Sequence, residues 1–249
     1  MKKPEIIVVT AAYGTQQVAE LGGQAALLPI IKDAGADGVE IRRELFSDTE
    51  LTQLHALGHS IRQHQLSASY SVPEALWLED GTLNPRLAQY LQEAEQLGAQ
   101  RLKLALGYFV DLSDRQLVEV LATSGVTLVV ENDQTPASKL APMLQFFHRA
   151  CDAALPLDMT FDMGNWLWTG EDALQAAAQL SRYVSYIHVK AAVPHGDSFR
   201  AIALDDADDQ WRTLLNALPA DAPRGIEFPL QGDDLRAVTR HYVDLLRAV

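Results

Sequence analysis

Eight short runs of apolar and β-branched residues recur along the 249-residue chain, each followed by a longer stretch of helical period. Strands are expected near residues 6–11, 38–42, 66–72, 101–106, 127–131, 159–162, 183–190 and 225–228. Helices are expected near 23–34, 48–64, 85–97, 114–123, 137–153, 171–180, 209–218 and 233–248. Strict alternation argues for a parallel sheet, and eight units in a chain of this length favour closure into a (β/α)8 TIM barrel over an open doubly wound sheet. No linker, low-complexity tract or shift of composition marks a second domain, so residues 1–249 are expected to form one barrel domain. The connections are short, which predicts no built-in lid domain and leaves the barrel mouth to be shaped partly by a partner subunit in a homo-oligomer.

Charge and cysteine content narrow the function classes. The formal charge is −13, from 20 Lys and Arg against 33 Asp and Glu, and no basic run is present to track a phosphate backbone. Nucleic acid and anionic membrane are therefore excluded as expected partners. Cys151 is the only cysteine, so neither an intrachain disulfide nor a thiolate zinc cluster can form. Pro4 and Glu5 interrupt the apolar start, where a first barrel strand explains the sequence better than a secretion signal. No apolar run approaches the roughly 18 residues needed to span a bilayer, and a cytoplasmic location is the expectation.

Four of the expected strands end in an ionisable residue where a barrel interior should be apolar. These endings are Val129-Val130-Glu131, Thr160-Phe161-Asp162, Ile187-His188-Val189-Lys190 and Gly225-Ile226-Glu227. The C-terminal strand ends form the active-site face of such a barrel, so Glu131, Asp162, His188 and Glu227 are expected to converge there. Three carboxylates brought together repel one another, and unless a cation joins them at least one takes up a proton. A divalent metal resolves that conflict.

The segments Val130-Glu131-Asn132, Phe161-Asp162-Met163-Gly164-Asn165, Ile187-His188-Val189-Lys190 and Gly225-Ile226-Glu227-Phe228, with Asp37-Gly38-Val39-Glu40-Ile41 upstream, resemble the xylose isomerase-like barrel superfamily, in particular its sugar epimerase and sugar-phosphate isomerase branch. The resemblance implies that Glu131, Asp162, His188 and Glu227 are metal ligands. Three oxygens and one imidazole suit Mn²⁺, Mg²⁺ or Co²⁺, and Zn²⁺ is compatible. It further implies a small-molecule sugar substrate, with Glu131 and Glu227 removing and returning a proton through a metal-stabilised enediolate. Return to the opposite face epimerises, return to the neighbouring carbon isomerises, and loss of a β-hydroxyl makes the same scaffold a dehydratase. A non-catalytic carbohydrate-binding barrel is the third reading.

Supporting positions follow from the same comparison. Glu40 is expected at a substrate hydroxyl or in a structural ion pair. Lys190 either contacts a substrate oxygen or neutralises the carboxylates, and His195 and Arg200 in the following loop either bind an anionic substrate group or are exposed loop residues. Trp166 and Trp168 shield the site, stack on a sugar or pack in the core. Lys103 lies in the lumen unless the strand register is mistaken. Ser67, Ser69 and Ser71 alternate along one strand with no base beside them, which excludes a serine nucleophile. Many family members carry histidine three residues after the aspartate ligand. Here that residue is Asn165, which can bond a sugar hydroxyl but cannot act as an acid or a strong ligand.

Overall fold

A computed structural model describes residues 3–110 and 115–249. Its ten strands are β1 (Ile6–Val9), β2 (Gly38–Arg42), β3 (Ser67–Trp77), β4 (Arg101–Gly107), β5 (Thr127–Glu131), β6 (Leu157–Asp162), β7 (Val184–Val189), β8 (Ala191–His195), β9 (Ser198–Ile202) and β10 (Arg224–Ile226). All but β8 and β9 pair in parallel around a closed barrel in the order β1, β10, β7, β6, β5, β4, β3, β2. This is the (β/α)8 architecture expected from the alternation.

Each barrel strand divides its residues between two environments, because successive side chains point to opposite faces. On β4, Leu102, Leu104 and Leu106 pack outward into the main apolar core against helices such as Leu87–Leu97 and Leu140–Asp152. Lys103, between them, is buried on the other face and lies in the lumen. The lumen is unusually polar for its burial: Glu40, Ser69, Ser71, Lys103, Glu131, Thr160, Asp162 and His188 are all buried. Apolar packing outside the strands holds the barrel, which leaves its interior available for chemistry.

Several boundaries differ from expectation for identifiable reasons. Strand β3 continues beyond the expected end at Val72 to Trp77, with a register shift between Ser71 and Ala75. Pro73 falls inside that irregularity, where a missing backbone N–H breaks no ladder bond. The helix expected over 48–64 is two helices, Asp48–Leu51 and Leu54–Gln63. The Thr52 hydroxyl bonds back to the Thr49 carbonyl at the break. The helix expected over 23–34 begins as a 3₁₀ turn, Gln24–Leu27, before Leu28–Asp33. The helix expected from 114 runs Arg115–Ala122, and Asp114 lies outside the described residues.

The larger correction concerns the segment after β7. The expected loop is an antiparallel hairpin, β8 paired with β9, with Val193 opposite Arg200 and His195 opposite Ser198. Phe199 packs against Trp168 at 5.4 Å between ring centroids, which ties the hairpin to the short helix Trp166–Thr169 after β6. The hairpin thus stands beside the C-terminal end of β7, next to the Trp166–Thr169 helix. Among the described residues, no helix is long and apolar enough to cross a membrane.

One buried network outside the lumen carries a stability prediction. Glu93, in the helix behind β3, accepts from Arg43 Nε at 2.8 Å, the Tyr70 hydroxyl at 2.7 Å and Gln89 at 2.8 Å. Burial alone would raise the Glu93 carboxyl, but these donors outweigh it and hold it below the ordinary carboxylate value. A depressed folded-state value adds stability above the unfolded value, lost as pH falls through the folded one. Glu93→Gln is expected to destabilise the protein by about 3 kcal/mol at neutral pH and to flatten the loss of melting temperature below about pH 4.5, as read by thermal melts from pH 7 to 3.

Candidate metal centre at the C-terminal mouth of the barrel

Glu131 ends β5, Asp162 ends β6, His188 is the penultimate residue of β7, and Glu227 follows β10 directly. Parallel pairing places Asp162 beside His188 and His188 beside Gly225, so the residues climb neighbouring strands to the same rim. The Glu227 N–H still donates to the Val189 carbonyl at 3.1 Å, which fixes its position although the strand itself is only three residues long. One ligand atom from each of the four residues can be chosen so that all lie within 4.8 Å of one another. Ligands on opposite sides of a divalent ion, each at about 2.1 Å, stand about 4.2 Å apart, so the grouping has the right scale.

Each carboxylate has one oxygen already committed and one left over. Glu131 Oε2 pairs with Lys103 Nζ. Glu227 Oε1 accepts from Arg42 at 2.7 Å. Asp162 Oδ1 accepts from the backbone N–H groups of Gly164 and Asn165, both at 2.8 Å. His188 is fixed from behind, its Nε2 lying 2.8 Å from Glu40 Oε2. The inward set is therefore Glu131 Oε1, Asp162 Oδ2, Glu227 Oε2 and His188 Nδ1. Within it, Glu131 Oε1 and His188 Nδ1 form a buried pair at 2.6 Å, and Glu227 Oε2 lies 3.2 Å from the same nitrogen. With Asp162 Oδ2 and Glu227 Oε2 they make up a three-oxygen, one-nitrogen donor set of the kind a divalent ion takes.

The electrostatics bear on the expected repulsion among the carboxylates. Four buried or nearly buried carboxylates, Glu40, Glu131, Asp162 and Glu227, are interleaved with Arg42, Lys103 and Lys190. Burial opposes ionisation at Glu131, but Lys103 and His188 overcome it and bring its carboxyl down to about 2. Glu227 is likewise held well below the ordinary range, against burial, by Lys190, His188 and Arg42. At Asp162 burial wins, aided by Glu227 and Glu131, and its carboxyl is pushed up to about 8 despite Lys190. The imidazole of His188 would fall on burial, but Glu40, Glu227 and Glu131 raise it well above its usual value.

The remaining candidates separate clearly. Glu40, expected at a substrate hydroxyl or in a structural ion pair, is fully buried and pairs with His188. Carboxylates in that position orient a ligating imidazole and raise its basicity, and losing one costs roughly tenfold or more in metal affinity. Glu40→Gln is therefore expected to weaken Mn²⁺ binding about tenfold, read by calorimetric titration. Asn165, also expected at a substrate hydroxyl, is 5% exposed and turned inward. Its amide donates to the Asn132 carbonyl at 2.9 Å and its oxygen faces Gln134 and Lys190. Lys190 does reach the cluster, 3.4 Å from Asp162 and 3.3 Å from Glu227. His195 and Arg200 are exposed on the β8–β9 hairpin and make no ion pair or hydrogen bond with the cluster.

Three contributors were not singled out from sequence. Arg42 carries no expectation from the sequence, Lys103 is expected only as a lumen position, and Asn132 only as part of a motif. Asn132 holds Asp162 from both sides, its Oδ1 accepting from the Asp162 N–H at 2.9 Å and its Nδ2 donating to the Asp162 carbonyl at 3.0 Å. The available signal was period two: Glu40 and Arg42 share a face of β2, and Lys103 lies on the inward face of β4 opposite Val129.

No protein-family model matches the chain, and no curated protein is significantly similar to it in sequence. Solved structures do match over nearly its full length. A xylose isomerase domain containing protein from Salmonella typhimurium has 12% identity and a TM-score of 0.66, covering 100% of this chain and 98% of its own. The 3-keto-D-glucoside 4-epimerase from E. coli has 13% identity and a TM-score of 0.64, covering 99% and 100%. A probable 3-DHS dehydratase involved in petrobactin synthesis from Bacillus anthracis has 13% identity and a TM-score of 0.68, covering 97% and 98%. The fold is that of the xylose isomerase-like TIM barrels, a group whose solved members include epimerases, isomerases and a dehydratase.

Proposed function

We propose that residues 1–249 act as one domain, a divalent-metal-dependent enzyme that isomerises or epimerises a small sugar or sugar derivative. One observation supports this above the others: Glu131, Asp162, His188 and Glu227 each bring one donor atom to a single spot at the barrel mouth, all within 4.8 Å of one another. In this reading Glu131, Asp162, His188 and Glu227 hold the ion, and Mn²⁺, Mg²⁺ or Co²⁺ suits the three-oxygen, one-nitrogen set. A divalent ion bound there supplies Lewis-acid polarisation of a carbonyl and its neighbouring hydroxyl.

The chain's own residues supply the rest. Glu131 and Glu227 rise from β5 and β10, on opposite sides of His188, and take and return the proton of the carbon between them. Lys103 and Arg42 hold the outer oxygens of these two glutamates, which fixes both carboxylates with their inner oxygens toward the centre of the mouth. Lys190 and the half-buried Trp168 border the mouth, where an ammonium and an indole face suit the hydroxyls and the apolar face of a sugar ring.

The test is a screen of ketoses, keto-sugars and polyol-derived ketones with Mn²⁺ in deuterated water. Solvent deuterium at a sugar carbon, with an epimer or isomer as product, is the expected result. Loss of water from a ketone would assign dehydration on the same scaffold. Ligand-dependent stabilisation with neither change would leave a carbohydrate-binding barrel.

A further inference from the structure

We propose that Lys190 is a tethered cation that competes with the divalent ion for Asp162 and Glu227, so that the resting protein holds its metal weakly. The inference rests on the metal-site reading above and concerns how that site is loaded. Lys103 and Arg42 bind only the outer oxygens of Glu131 and Glu227 and so do not occupy the ligand set. Lys190 differs in kind. Asp162 Oδ1 is committed to two backbone donors and Glu227 Oε1 to Arg42, so the oxygens left for an ion are Asp162 Oδ2 and Glu227 Oε2. Those are the two oxygens that Lys190 Nζ approaches, at 3.4 and 3.3 Å.

The ammonium is placed there but not locked there. Charge-assisted N–H···O bonds are typically about 2.7–2.9 Å, whereas all three of its polar contacts, including Asn165 Oδ1 at 3.3 Å, are longer. Its stem has a channel made for it: a Cβ on Gly164 would come within 2.9 Å of Lys190 Cγ. It also has somewhere to go. The Trp168 ring centroid lies 6.0 Å from Nζ, at the outer edge of a cation–π contact. An arriving divalent ion would displace the ammonium toward Trp168 and the mouth, where it can meet an oxygen of the substrate. Metal and substrate binding are then coupled through one side chain, each favouring the other.

Mn²⁺ titrations of wild type, Lys190→Met and Lys190→Arg, read by calorimetry and by the free-ion electron paramagnetic resonance signal, test this. Lys190→Met is expected to bind Mn²⁺ at least tenfold more tightly than wild type, and Lys190→Arg, which keeps the charge, to stay close to wild type. Thermal melts confirm that each variant is folded. Equal or weaker binding by folded Lys190→Met would overturn the competition while leaving the metal site standing. Absence of saturable binding in every folded protein would overturn the metal site and the inference with it.

Discussion

Glu131→Gln is expected to slow exchange of the substrate proton about 10³-fold, because it removes one of the two proposed proton-moving carboxylates. It should also lower the melting temperature by on the order of 10 °C, since Lys103 is left buried without its counter-ion, at a cost of about 3 kcal/mol. The two effects are separable. Lys103 is 5% exposed and pairs with the Glu131 oxygen that faces away from the cluster. Combining Glu131→Gln with Lys103→Met removes the uncompensated charge, so the double variant should melt near wild type and remain inactive. Recovery of activity in the double variant would mean that Glu131 serves only to neutralise Lys103.

Gly225→Ala is expected to damage the site from below. A Cβ at Gly225 would lie 2.5 Å from the Tyr186 hydroxyl and 3.0 Å from His188 Cδ2. Tyr186 is fully buried, with its ring 4.9 Å from that of His188 in an edge-on arrangement, so neither side chain can retreat freely. Overpacking of this kind costs about 2 kcal/mol, and displacing His188 should loosen Mn²⁺ binding tenfold or more. The nearest clash is with a single oxygen. Tyr186→Phe removes that oxygen and leaves the ring carbon Cζ and His188 Cδ2, both at 3.0 Å, so the Gly225→Ala/Tyr186→Phe pair should recover part of both losses, as measured by melts and Mn²⁺ titration. If Gly225→Ala alone behaves as wild type, the packing described for His188 is wrong.

The barrel was legible because its strands and helices have different periods and alternate without exception, and because Glu131, Asp162, His188 and Glu227 are anomalous charges at the ends of apolar runs. What governs their surroundings was less legible. Arg42 and Lys103 look like ordinary charged residues until the shear of the barrel sets them beside glutamates more than twenty positions away in sequence. Glu40 could be placed on the inward face of β2, but only the closed barrel brings it behind His188, 148 residues distant. Asn165 looked free for a substrate because its partners, Asn132 and Gln134, lie on a different connection. The hairpin was missed because residues 191–202 carry Pro194 and a Gly196-Asp197 turn, punctuation that reads as a loop unless the flanking residues are tested for pairing.

The most direct test of the central claim is a Mn²⁺ titration of the wild-type protein beside Glu131→Gln/Glu227→Gln, with melts to show that both are folded. Saturable binding of about one Mn²⁺ per chain in wild type, abolished in the double variant, is the predicted result. A folded wild type with no saturable binding and no thermal shift on adding Mn²⁺, Mg²⁺ or Co²⁺ would contradict it.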